Sequence, residues 1–243
     1  IDHHAKLKGA YGIENGEYET KTAGKVHYFA DPTKNRKPLL ILHGVHYAAG
    51  SQDIKPIFEA FRSGRAVYTF DLPGFGRSEK SNRAYLPSLY EQAILEFIEG
   101  KIGQACDVIA LGLACEFAAR AALQAPEWIE KLVLVNPTGF HMPQAGPLLE
   151  RPGWSKIIDN VQSILTVPLW SLPLYDVVAS RPNIAAYYKQ RFEYYLPDEL
   201  VTMAYASAHQ PGAHFAPIVH MAGKLFTSDV REKVYGELKQ PAL

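Results

Sequence analysis

The stretch "DVIALGLACEFAARAALQAPE", Asp107 to Glu127, changes character twice, and those changes set the architecture. Read with Cys106, its first part is a short apolar run that ends at Gly112, the pattern of a strand buried on both faces. From Cys115 to Ala125 small and apolar residues recur at helical spacing, and Pro126 ends the pattern. A strand that turns into a helix within a few residues needs small side chains and a backbone that tolerates the left-handed region. Ala110, Gly112 and Ala114 supply both, so a positive φ at Gly112 is expected.

Outward from this unit the same alternation repeats. "PLLILHG" (Pro38 to Gly44), "AVYTFD" (Ala66 to Asp71) and "KLVLVNP" (Lys131 to Pro137) are further apolar runs that end in turn residues. Helical patterns at Ile54 to Phe61 and Pro87 to Ile98 separate them, which predicts βαβ crossovers and a mostly parallel open sheet with helices on both faces. "YETKTAGKVHYFAD" reads as two antiparallel strands joined at Ala23-Gly24. After Phe140 the texture changes to a proline- and aromatic-rich segment, then to helices dense in tyrosine up to Ala208. A helical pattern returns over Leu225 to Leu238, with Ser228 or Asp229 as N-cap, and "QPAL" opens a further strand. The expected organisation is a core over 1–140, a helical cap over 141–208 and a return to the core over 209–243, with C-terminal strands missing.

Three segments together resemble the α/β-hydrolase superfamily: "LLILHG", the loop "DLPGFGRS" (Asp71 to Ser78), and the strand-turn-helix around Gly112. The resemblance is firm over Tyr18 to Phe140 and looser beyond. There the tyrosine-rich helices and Gln210 to Phe226 resemble uncharacterised bacterial and cyanobacterial members. It implies a nucleophile elbow of the form G-x-S-x-G, whose flanking positions must be small. Placing the nucleophile at Gly112 puts Ala110 and Ala114 at those positions; placing it at Ala114 puts Glu116 where only a small side chain fits. Gly112 is preferred, and neither register supplies a hydroxyl or thiol.

The resemblance further implies oxyanion N–H donors at Val45 and Leu113, and a pocket lined by His43, Gly44, His46, Asn136 and Phe140. The tyrosines Tyr175, Tyr187, Tyr188, Tyr194 and Tyr195 are candidates for its apolar wall. Cys115 is the one nearby thiol, read most simply as a buried structural residue, and Glu116 as a partner of its helix's dipole. His209, His214 and His220 straddle Pro211-Gly212 and read as cap or loop histidines, since their spacing suits neither a triad nor a metal site. The family's acid and histidine would lie beyond Leu243.

Composition narrows the function classes. The 243 residues carry 25 basic and 25 acidic side chains, so the basic surface of a nucleic-acid binder is absent. Two cysteines in buried segments point to a reducing, cytoplasmic setting, and Pro168 and Pro173 break the longest apolar stretch, which is too short for a membrane span. No cofactor and no metal are expected; the partner is a small, apolar, ester- or carbonyl-like ligand. Three readings follow: a pseudo-enzyme or ligand-binding module, an active carboxylester-type hydrolase seen as a truncated or altered chain, and cofactor-free chemistry by a histidine and an acid alone.

Overall fold

Alternation along the strands sorts the core into two layers. In β3 (Leu39–Leu42), Leu39 and Ile41 pack on one face of the sheet with Phe58 of α1 (Lys55–Arg62), Val67 of β4 (Val67–Phe70) and Ile109 of β5 (Cys106–Leu111). Leu40 and Leu42 face the other way. They join Phe70, Val108 and Ala110 under the helices α2 (Pro87–Phe97) and α3 (Ala114–Gln124). Successive strand residues point to opposite faces, so every position of β3 is buried and a helical layer covers each side, as a parallel sheet requires. The α3 helix approaches closely because Ala114, Ala118, Ala121 and Ala122 are fully buried, and its Phe117 stacks on Tyr90 of α2 at 4.5 Å.

The computed structural model describes residues 7, 11–33, 36–140, 168–192 and 195–243, with backbone only for 168–170. Residues 141–167, the proline-rich part of the expected cap, and Tyr194 lie outside the described residues. The sheet has six strands in the order β1-β2-β4-β3-β5-β6. Here β1 is Glu14–Thr20, β2 is Gly24–Asp31 and β6 is Ile129–Val135. β1 and β2 form the expected antiparallel hairpin, β2 pairs antiparallel with β4, and β3, β4, β5 and β6 run parallel. With Leu42 registered on Ala110, the carboxyl ends of β3 and β5 open side by side. This is where ligands bind in sheets of this kind.

The loop after β4 holds this end together. The carboxylate of Asp71 accepts hydrogen bonds from the N–H (2.7 Å) and hydroxyl (2.6 Å) of Ser51 and from the Arg77 N–H (2.8 Å). Gly76 has φ +53°, and a Cβ there would lie 2.1 Å from the Asp71 carboxyl carbon, so only glycine fits.

Above the carboxyl ends lie α4 (Pro168–Val178), α5 (Arg181–Lys189), α6 (Asp198–Ala208) and α7 (Phe215–Met221). They build a second core from Tyr175, Ile184, Tyr188, Val201, Ala204 and Ile218, and it reaches Ala48 in the turn after β3. Among the described residues no helix is long and apolar enough to cross a membrane.

The expected helix over Leu225 to Leu238 is corrected. Only α8 (Val230–Lys233) and a 3-10 turn at Tyr235–Glu237 form, and Asp229 caps α8 from the left-handed region without a side-chain bond. The start is diverted because Leu225 is fully buried and the Thr227 N–H donates to Glu116 at 2.9 Å. "QPAL" does begin to pair with β6. Leu132 N–H donates to Pro241 at 3.0 Å and Leu134 N–H to Leu243 at 2.7 Å, so part of that sheet edge is covered.

Candidate functional site

At the turn between β5 and α3, Gly112 has φ +56°. Its N–H donates to the carbonyl of Val135 (2.9 Å), and its own carbonyl accepts from Cys115 N–H (3.1 Å). Ala114 is the fully buried first residue of α3, so the strand-to-helix turn centres on Gly112. A Cβ at Gly112 would meet nothing within 4 Å, so the glycine relieves backbone strain, not crowding. A Cβ at Gly44 would lie 3.4 Å from the Leu111 carbonyl, which shows how closely the turn after β3 passes the elbow.

Gly44, Val45, His46, Gly112, Leu113 and Asn136 line one cleft of about 380 Å³. Among the described residues the N–H groups of Val45 and Leu113 find no acceptor. Leu113 caps the eleven-residue α3, so the helix dipole adds positive potential at its N–H.

The polar wall is a chain of three side chains. His46 Nδ1 accepts the Ala48 N–H (3.2 Å), which places the ring proton on Nε2, donated to Asp53 at 2.9 Å. The Tyr188 hydroxyl donates to the other Asp53 oxygen, and the Gly50 N–H adds a longer bond of 3.3 Å. Burial pushes the Asp53 carboxyl up, but His46 and Tyr188 outweigh it and hold the group below the usual carboxylate range. Tyr187 stacks on His46 at 4.3 Å, and the Arg191 guanidinium lies 3.6 Å from the centre of the Tyr187 ring.

His220 of α7 also lines the cleft. Its Nδ1 is buried without a partner among the described residues, and burial, with His46 nearby, pushes the imidazole down to about 4. It is therefore neutral at pH 7.

Several expected site residues stand elsewhere. His43 is fully buried outside the cleft: Nδ1–H donates to the Gly44 carbonyl (2.7 Å) and Nε2 accepts the Leu72 N–H (2.9 Å), so it clamps the two turns and stays neutral. Phe140 is half exposed and stacks on Tyr235 at 5.6 Å, away from the cleft. Cys115 is fully buried, its thiol donates to the Ala110 carbonyl at 3.1 Å, and burial pushes it up to about 12; it is no nucleophile. Glu116 does stand in the first turn of α3, as a dipole partner would, and it is also a buried staple that accepts from the Thr138 hydroxyl and the Thr227 N–H.

Of the tyrosines, Tyr187 and Tyr188 line the cleft. Tyr175 lies in the helical core, its hydroxyl on the Tyr47 carbonyl at 2.6 Å, and Tyr195 is exposed. His209 is fully buried at the end of α6 and His214 packs on Phe215. Among the described residues no group of three potential metal ligands converges. Asp53, Arg191, Phe192 and Phe226 were missed by sequence reasoning, and His220 was read only as a cap or loop histidine. Asp53, seven residues past His46 on a 3-10 turn, carried no motif; Arg191 and Phe192 lie just past α5, His220 on α7 and Phe226 in the turn after it, places whose docking no local pattern encodes.

Residues 39–232 match the model of the alpha/beta hydrolase family. The protein belongs to the alpha/beta hydrolase family. Among curated relatives, 1-acylglycerol-3-phosphate O-acyltransferase ABHD5 of Rattus norvegicus is 34% identical over 119 residues, 46% of this chain and 32% of that protein. A (lyso)-N-acylphosphatidylethanolamine lipase of Bos taurus is 30% identical over 135 residues, 53% of this chain and 39% of that protein. The matched part thus spans about a third to two fifths of these relatives. The alpha/beta hydrolase fold is matched by a probable hydrolytic enzyme of Pseudomonas aeruginosa PAO1, with TM-score 0.67, 19% identity, and 96% of this chain and 72% of that one covered. A carboxylesterase of Bacillus subtilis aligns with TM-score 0.62 and 17% identity, covering 96% and 74%.

Proposed function

We propose that this alpha/beta hydrolase-family chain holds the acyl or carbonyl end of a small apolar ligand in the cleft beside Gly112 and, in this form, performs no serine chemistry. The observation that carries the reading is the glycine at the elbow, flanked by two N–H groups, of Val45 and Leu113, that lack acceptors among the described residues. Such a pair binds a carbonyl or carboxylate oxygen whether or not a nucleophile stands beside it. The helices α4–α7 act as its cap. The names of the two curated relatives both denote enzymes of acylated phospholipids, which favours an acyl-bearing ligand.

A second reading, an ester hydrolase in altered or partial form, is favoured by the space at Gly112. A Cβ there meets nothing within 4 Å, so a nucleophile's side chain would fit the cleft.

Methyl octanoate tests both readings. The expected result is binding by calorimetry, with p-nitrophenyl octanoate released no faster than by heat-denatured protein. Loss of a triad nucleophile costs roughly a millionfold in kcat. Gly112→Asn, which tolerates the left-handed backbone and places an amide before the two N–H groups, should weaken binding about tenfold or more. Turnover by the unmodified chain would overturn the first reading, and methyl octanoate binding unchanged in Gly112→Asn would move the site elsewhere.

A further inference from the structure

The cleft offers an anion several donors and no free carboxylate among the described lining residues. Asp53 is its one carboxylate among the described lining residues, and both its oxygens are taken by His46, Tyr188 and the Gly50 N–H. Arg191 is in the opposite condition. Its guanidinium is fixed over the Tyr187 ring at 3.6 Å, and Nη1 donates to the Tyr187 carbonyl at 2.8 Å. Among the described residues no carboxylate lies within ion-pair distance of it, and its other N–H groups have no protein acceptor. The Tyr187 ring that carries it is itself stacked on the buried His46, so the fork is placed by packed aromatic rings despite its exposure.

A planar guanidinium held flat on an aromatic ring keeps its edge free for a carboxylate or phosphate, which it binds through two parallel hydrogen bonds. Leu111, Val135, Phe192 and Phe226 give the same cleft an apolar side. We infer that Arg191, seated on Tyr187, is the recognition point for an anionic group, carboxylate or phosphate, on an amphiphilic ligand whose apolar chain lies against these walls. The inference rests on the reading of the cleft as a ligand site and deepens it by naming the preferred ligand class, an acidic amphiphile.

The probes are octanoate, octyl phosphate and 1-octanol, titrated by calorimetry at pH 7.5 and low salt into the 243-residue protein, Arg191→Gln and Arg191→Lys. One or both anions should bind more tightly than octanol, and which one does separates a carboxylate from a phosphate headgroup. A hydrogen-bonded charge pair is worth roughly tenfold to a hundredfold in affinity. Arg191→Gln should lose about that factor for the anion and nothing for octanol, and Arg191→Lys should keep part of it. Added salt should weaken the anion alone. Equal melting temperatures will show that the variants fold. Octanol binding with no preference for either anion, or equal losses for all probes in Arg191→Gln, would overturn the anion site and leave the cleft reading standing. No binding of any probe would overturn both.

Discussion

Gly112→Ser measures the elbow itself. At φ +56° a residue with a Cβ pays about 1–2 kcal/mol for the left-handed conformation. Nothing lies within 4 Å of the new Cβ, so no overpacking is added, and the hydroxyl faces the cleft, where water satisfies it. Replacing glycine also stiffens the unfolded chain, which returns about 0.4–1 kcal/mol. The net expectation is a loss of about 1 kcal/mol, and in a chain of this size that lowers the melting temperature by about 2–4 °C. Gly74→Ala is the control: φ is +85° and the added Cβ would lie 2.4 Å from Ala216 Cβ and 2.7 Å from the Tyr85 ring. Strain and overpacking together should cost about 3 kcal/mol or more. Urea titrations with an unchanged denaturant slope read both. A Gly112→Ser variant as damaged as Gly74→Ala would refute the open cleft above the elbow; one more stable than the parent would refute the left-handed turn.

His220 is pushed down from 6.5 to about 4, so the unfolded chain takes its proton first as the pH falls. Stability from this group is complete above about pH 6.5 and declines toward pH 4 by about 3 kcal/mol; urea midpoints of His220→Gln should fall less over that window, and parallel profiles would contradict the burial. Asp53 is held low, so its contribution is present above an unfolded value of about 3.9 and is lost as pH falls through the folded one. Asp53→Asn should cost about 2 kcal/mol or more at pH 7 in thermal melts, with a narrower gap to the parent at pH 3.5. Burial pushes both Cys106 and Cys115 up to about 12, so Ellman's reagent at pH 8 should leave the native protein unlabelled and label both thiols in urea. Fast reaction of either native thiol would refute the packing of α3 against β5 and β6.

The sheet and the elbow were legible because their signals are local. Four apolar runs ending in turn residues fix the parallel strands, and Ala110-x-Gly112-x-Ala114 marks a turn that only small residues can make. Val45 and Leu113 came from the family resemblance, not from the turn pattern itself. His43 was misread because a histidine beside Gly44 looks the same in sequence whether its ring faces the cleft or is spent, as here, on Leu72 and Gly44. Glu116 stands in the first turn of its helix as read, but its stapling role was hidden because its partners, Thr138 and Thr227, are 22 and 111 residues away. The same distance hid His220, Arg191 and the Asp53 network, which meet only when α5 and α7 dock over β3 and β5. Leu225 to Leu238 carries a helical pattern, yet burial of Leu225 and the Thr227 bond override it.

The most direct test is a crystal structure with octanoate bound. The account predicts its carboxyl or chain in the cleft beside Gly112, a ligand oxygen about 3 Å from the nitrogens of Val45 and Leu113 or from Arg191, and the chain against Leu111, Phe192 and Phe226. Ligand seated instead in the groove between α1 and α6, against Pro56, Leu200 and Met203, with no ligand beside Gly112, would contradict it.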